Sequence, residues 1–95
     1  MAKYAYPAVF VKEGSGLYAI NFPDLKSCYT SGQNLTDAFE MAADVLAFTL
    51  HDMERYGEEI PAPSTLYEVK ADNGFVNYVF CDTTGYKVTE CNSNI

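Results

Sequence analysis

A small α+β domain in the order β-β-β-α-β, with one main helix packed on one face of a small sheet, is the fold class this sequence predicts. Three observations support it. Runs rich in β-branched and aromatic residues, "YAYPAVFVK", "LYAINF" and "FVNYVFC", read as strands. Between the second and third of these lies a stretch with apolar residues at steps of three and four, the mark of an amphipathic helix. Glycine and proline clusters punctuate the boundaries.

The first strand is expected over residues 4–12. Pro7 lacks an amide donor, so the strand should lie at an edge there or carry an irregularity. "EGSG" forms a turn, and residues 17–22 return as the second strand of a hairpin. A short third strand is expected at 27–30. The helix spans 34–56. Asn34 sits three residues before Asp37, close to a capping box, and Leu35, Ala38, Phe39, Ala42, Leu46, Leu50 and Met53 make one apolar stripe. Gly57 closes it as a left-handed cap, and Pro61 and Pro63 prevent its continuation. "TLYEVKAD" suggests a short helical turn, and residues 75–81 form the last strand.

At 95 residues the chain is expected to be one domain, with a core over about 3–82, a polar tail at 83–95 and no room for a DNA-binding domain. No apolar run reaches the roughly 20 residues of a membrane span, and the start is a poor signal peptide, so a cytoplasmic protein is expected. Cys28, Cys81 and Cys91 form no short metal-binding pattern and His51 is the only histidine, which leaves free thiols and no metal or cofactor as the expectation. Six Lys and Arg against 13 Asp and Glu give a net charge of −7. Such a chain has few cations to neutralise phosphates, so no direct nucleic-acid binding is expected; a basic protein partner suits it better, although solubility alone also explains the charge. Both faces of the first and last strands carry apolar residues. One face can pack on the helix. The other calls for cover, from self-association, from a partner or from the 61–74 segment.

Enzymatic readings find little support in the residues. Cys28 needs a base to become a thiolate, and His51, late in the helix, is the sole candidate. The strand and helix order resembles the front half of a ribonuclease H-like fold, whose enzymes hold two metals on acids of the first strand, first helix and fourth strand. Glu40 and Asp82 match two of those places, but the body of the first strand has no acid, only Glu13 after it.

The string "YPAVF…E", then "GLYAINFPDLKSCYTSGQNLTDAFEMAADVLAFTL" and "GEEIPAPS", resembles the HicB antitoxin family. The match runs over about residues 6–64 and includes Tyr6, Pro7, Glu13, Phe22, Pro23, Asp24, Leu25, Cys28, Thr30, Gly32, Ala38, Gly57, Ile60, Pro61, Pro63 and Ser64. The resemblance implies a partial ribonuclease H-like domain that binds and occludes HicA, a small basic toxin that resembles a double-stranded-RNA-binding domain and cleaves mRNA with its own histidine. Exposed strand edges and the second apolar face, together with the resemblance, lead to the expectation of a homodimer or tetramer. Glu13, Asp24, Glu58 and Glu59 are the acids expected to face the toxin. Phe22, Pro23, Asp24, Cys28, Gly32 and Asn34 are expected to be the chemistry of a turn, a bend and a helix cap rather than of catalysis. Where family members often carry Pro-Gly after F-P-D-L, this chain has Lys26 and Ser27, so its turn is expected to differ. The alternatives are an orphan HicB-like oligomeric adaptor or regulator without a toxin and, more remotely, a metal-dependent nuclease.

Overall fold

The computed structural model describes residues 3–71 and 73–83. The strands are β1 (Lys3–Lys12), β2 (Tyr18–Asn21), β3 (Tyr29–Gly32) and β4 (Gly74–Asp82), with one helix, α1 (Leu35–Arg55), between β3 and β4. They form one antiparallel sheet in the order β3-β2-β1-β4.

Alternation along the strands divides the sheet into two faces. Tyr6, Ala8 and Phe10 of β1, Ile20 of β2 and Val79 of β4 are buried with Ala38, Ala42, Leu46 and Leu50 of α1. Phe10 is the centre of an aromatic row, stacked on Phe75 at 5.0 Å and tilted against Phe39 at 4.7 Å. Most of the apolar stripe read from the sequence lies in this core; Leu35 is exposed instead, and the buried Ala47 joins from beside the stripe.

The helix has the ends its sequence requires. The Asn34 side chain accepts from the Asp37 amide at 2.9 Å, and the Asp37 carboxylate in turn accepts from the Gln33 amide at 2.9 Å. Gly32 serves by lacking a side chain. A Cβ there would come within 2.4 Å of the Ala38 backbone, so β3 can approach the first turn of α1 only with glycine at that place.

Pro7 lies in a strand with neighbours on both sides, but β2 pairs with β1 only from Val9 onward. At Pro7 the strand is locally an edge, so its missing amide donor leaves no ladder bond unmade. The third strand begins two residues later than expected. Ser27 is in a left-handed conformation (φ 56°), and the Cys28 carbonyl accepts from the Phe22 amide at 3.0 Å, so residues 27 and 28 close the turn. The short turn expected within residues 65–72 is a single one over residues 65–68, closed by the Glu68 amide on the Thr65 carbonyl at 3.1 Å. The polar tail expected at 83–95 lies, beyond Thr83, outside the described residues.

Candidate functional site

Two turns and one half of the helix meet at the end of the sheet where β2 finishes. The first turn holds Pro23 and Asp24 between Phe22 and Leu25, and the Leu25 amide donates to the Phe22 carbonyl at 3.1 Å. Proline suits the second position of such a turn because its φ is already set. Phe22, Leu25 and Cys28 point into the core, while Lys26 and Ser27 are exposed.

The second turn follows α1. Gly57, at φ 66°, lets the chain reverse, with the Glu58 amide on the Met53 carbonyl at 2.9 Å and the Gly57 amide on the Glu54 carbonyl at 3.3 Å. This pair of bonds is the Schellman pattern. Two polar ties then hold the returning segment. The Tyr6 hydroxyl donates to the Pro61 carbonyl. Ser64 donates to both Asp24 oxygens, from its amide at 2.8 Å and its hydroxyl at 2.6 Å.

Between these parts lies an open groove of about 650 Å³. Leu25, Met53, Pro61 and Phe48 provide its apolar surface, and Asp24, Asp52, Glu58, Glu59 and Lys26 its charge. Four carboxylates against one ammonium make the groove anionic. Phe48 is 48% exposed, so an aromatic ring is available beside that charge.

Three of the four acids expected to face a partner, Asp24, Glu58 and Glu59, come together here. Glu13 does not. It closes the β1–β2 hairpin, its amide on the Leu17 carbonyl at 2.7 Å, at the opposite end of β2. Asp24 is chiefly a structural acceptor, since both its oxygens engage Ser64. Lys26, read from the sequence as a departure from the family pattern, is the one cation of the groove, while Phe48 and Asp52 escaped the sequence reading as site residues. Phe48 and Asp52 are four apart and so share a helix face away from the main stripe. An aromatic residue off the stripe was the available signal.

The potential nucleophiles are ill placed for chemistry. Burial pushes the Cys28 thiol up, opposed by a hydrogen bond from Thr49. Burial, then the charges of Asp82 and Glu54, pushes the Cys81 thiol up to about 11. Neither provides thiolate near neutral pH. Glu54 instead receives the Tyr4 hydroxyl at 2.6 Å and the Thr83 hydroxyl at 3.0 Å. The Tyr4 bond holds the Glu54 carboxyl below the usual range, while Tyr4 itself is pushed up to about 12, first by that bond and then by burial. This tie joins the start of β1, the end of α1 and the residue after β4. Glu40 and Asp82 do not form a metal pair: Asp82 adjoins Thr83 at Glu54, about 21 Å along α1 from Glu40. Among the described residues no group of three His, Cys, Asp or Glu could hold a metal ion.

A family model described as the HicB-like antitoxin of bacterial toxin–antitoxin systems matches residues 6–89. The chain belongs to that HicB-like antitoxin family. It is accordingly an antitoxin of the type II kind. A toxin–antitoxin complex from Streptococcus pneumoniae contains a similar chain, at 20% identity and TM-score 0.81, covering 96% of this chain and 77% of that one. The N-terminal domain of the Burkholderia pseudomallei antitoxin HicB is similar at 18% identity and TM-score 0.70, covering 80% and 95%. A chain of the HicA3 and HicB3 toxin–antitoxin complex is similar at 22% identity and TM-score 0.68, covering 83% and 99%. A search of curated proteins gives no match. At these identities the structural likeness shows the fold: a four-stranded antiparallel sheet with one helix, as in HicB N-terminal domains. No helix of the described residues is long and apolar enough to cross a membrane.

Proposed function

We propose that this HicB-like antitoxin neutralises a small basic HicA-like toxin by docking the toxin's cationic RNA-binding surface against the groove between the Pro23–Asp24 turn, the second half of α1 and residues 58–61. The observation that carries this reading is a half-exposed aromatic ring, Phe48, set among Asp52, Glu58 and Glu59. A ring in a desolvating centre supplies affinity, and acids at the rim supply steering and partner choice. Glu13, at the far end of the sheet, acts only through the long-range field.

The protein works by binding and not by catalysis; the raised thiols and the separation of Glu40 from Asp82 support this. We read the chain as one HicB-like domain of partial ribonuclease H-like character, on its strand order and single helix. We place it in the cytoplasm, where mRNA is cut and free thiols persist. It also self-associates, a reading supported by the aromatic residues exposed on β4.

The test is protection of RNA from a HicA-like toxin that co-purifies with the full chain. Phe48→Ala should weaken the complex by about tenfold or more, mostly through faster dissociation. The double variant Glu58→Lys, Glu59→Lys should mainly slow capture and flatten its salt dependence. Unchanged protection by both variants would refute docking at this groove. Loss of all binding in moderate salt would contradict the division between ring and rim.

A further inference from the structure

β4 is an edge strand. Among the described residues it pairs only with β1, over the whole register from Lys3↔Asp82 to Val11↔Gly74. Folded proteins blunt an edge of this length with charge, proline, a bulge or a cover, because its outward amides and carbonyls are a template for another strand. Residues 74–81, "GFVNYVFC", contain no charged residue and no proline.

The direction of the free groups can be read from one bond. The Tyr78 amide donates to the side-chain oxygen of its neighbour Asn77 at 3.0 Å, so it does not point at Pro7, its partner on β1. Backbone groups alternate along an antiparallel strand, so Val76, Tyr78 and Phe80 present amide and carbonyl outward. Their side chains lie on the face away from α1, since Val79 between them is buried in the core. There Phe80 is 70% exposed, with the Tyr78 ring 6.5 Å away.

We infer that β4 pairs antiparallel with β4 of a second copy about a two-fold axis at Tyr78, joining two four-stranded sheets into one of eight. The inference deepens the self-association reading above and is independent of the toxin groove. An axis at Tyr78 overlaps all nine residues of β4. It sets Tyr78 opposite Tyr78 of the second copy and Phe80 opposite its Val76, an aromatic and β-branched pair of the kind that stabilises sheets. The only charge in the strand, Asp82, falls opposite Gly74 of the second copy, so no like charges meet. Charge also selects the occupant. A basic partner is drawn to the acidic groove, whereas two copies each carrying −7 can approach with least repulsion at an uncharged edge.

The experiment is sedimentation and light scattering of the full chain over a wide concentration range, native and with two substitutions. Tyr78→Pro removes an outward amide that β1 does not use, and Phe80→Lys places a cation on the aromatic patch. The native protein should be a dimer, and each variant a folded species dissociating at least about tenfold more readily. If Tyr78→Pro fails to fold, Phe80→Lys still decides, because its side chain is exposed. Tyr78→Cys, with Cys81 and Cys91 replaced by Ser, should cross-link to itself on oxidation, since facing residues of such a pair lie about 5.5 Å apart, within disulfide reach. A native monomer overturns the inference; so does a dimer that Phe80→Lys leaves intact and Tyr78→Cys does not cross-link. A monomer with slowly exchanging Tyr78 and Phe80 amides would assign the edge to another segment of the same chain. A monomer that still protected RNA would leave the toxin groove standing.

Discussion

The two faces of the sheet are held by different physics. Against α1 lies an apolar core with Phe10, Leu46 and Leu50 fully buried. On the other side Ser64, residues 68–71 and Asn73 line, with Val9, Val11 and Asn21, an open cavity of about 560 Å³, and Ser64 is held to Asp24 by polar bonds. Farther along that face Tyr78 and Phe80 remain partly or largely open. The sealed face therefore carries the stability, and the two surfaces proposed for partners, the β4 edge and the groove at the helix end, are the more open ones. The sheet separates the core from the exposed β4 aromatics, whereas the acidic groove lies on the helix side, at the end of α1.

Breaking the sealed face should have the largest effect. Leu46→Ala should cost about 2–5 kcal/mol through lost burial and a cavity, read by denaturant unfolding. A cost below about 1 kcal/mol would mean that the helix face is not the core. Ser64→Ala should cost less, about 1–2 kcal/mol, because Asp24 loses its hydroxyl donor but keeps the Ser64 amide. Its signature should be local: faster hydrogen exchange over 61–71 with α1 unchanged. Faster exchange throughout α1 would show that the two faces are not independent.

The Tyr4–Glu54 tie spans β1 and α1, and pH tests it. Glu54 titrates below the ordinary range in the folded state, so its stabilisation is complete above the unfolded value, about 4.3, and fades as pH falls through the folded one. Tyr4 is raised to about 12, so its contribution is complete below the unfolded value of about 10 and fades as pH rises toward 12. Tyr4→Phe should remove its part of both dependences in urea titrations across pH, leaving the alkaline loss due to Cys81, Cys28 and Tyr6, all raised by burial. A wild-type acid slope retained in Tyr4→Phe would assign it to other carboxylates. The smallest effect should come from Ser27→Gly, which relieves a left-handed serine and should stabilise by up to about 1 kcal/mol, visible as a raised midpoint with unchanged slope. Destabilisation would show that the serine side chain contributes more than its backbone conformation costs.

How much of this was legible in the sequence depended on how local the physics was. Asn34 and Gly57 announced the helix ends, and the structure begins and ends α1 there, because capping bonds reach only three or four residues. The late start of β3 was hidden, since it follows from a bond between Phe22 and Cys28 and from the conformation of Ser27. Asp24, Glu58 and Glu59 could be named as exposed acids, but their meeting depends on Ser64 reaching Asp24 across forty positions. Glu13 looked equivalent in the sequence and was separated from them only by the direction of the hairpin. Phe48 was masked by the stronger periodicity of Leu46 and Leu50. The fold was thus written largely in local patterns, and the site in long-range ties.

The most direct measurement is amide hydrogen exchange of the full chain, alone and bound to its HicA-like toxin. Slowed exchange is expected over residues 24–28, 48–53 and 58–61, with β4 unchanged between the two states. Slowing confined to β4 or to the open sheet face, with the groove unaltered, would contradict docking of the toxin at the acidic end of the helix.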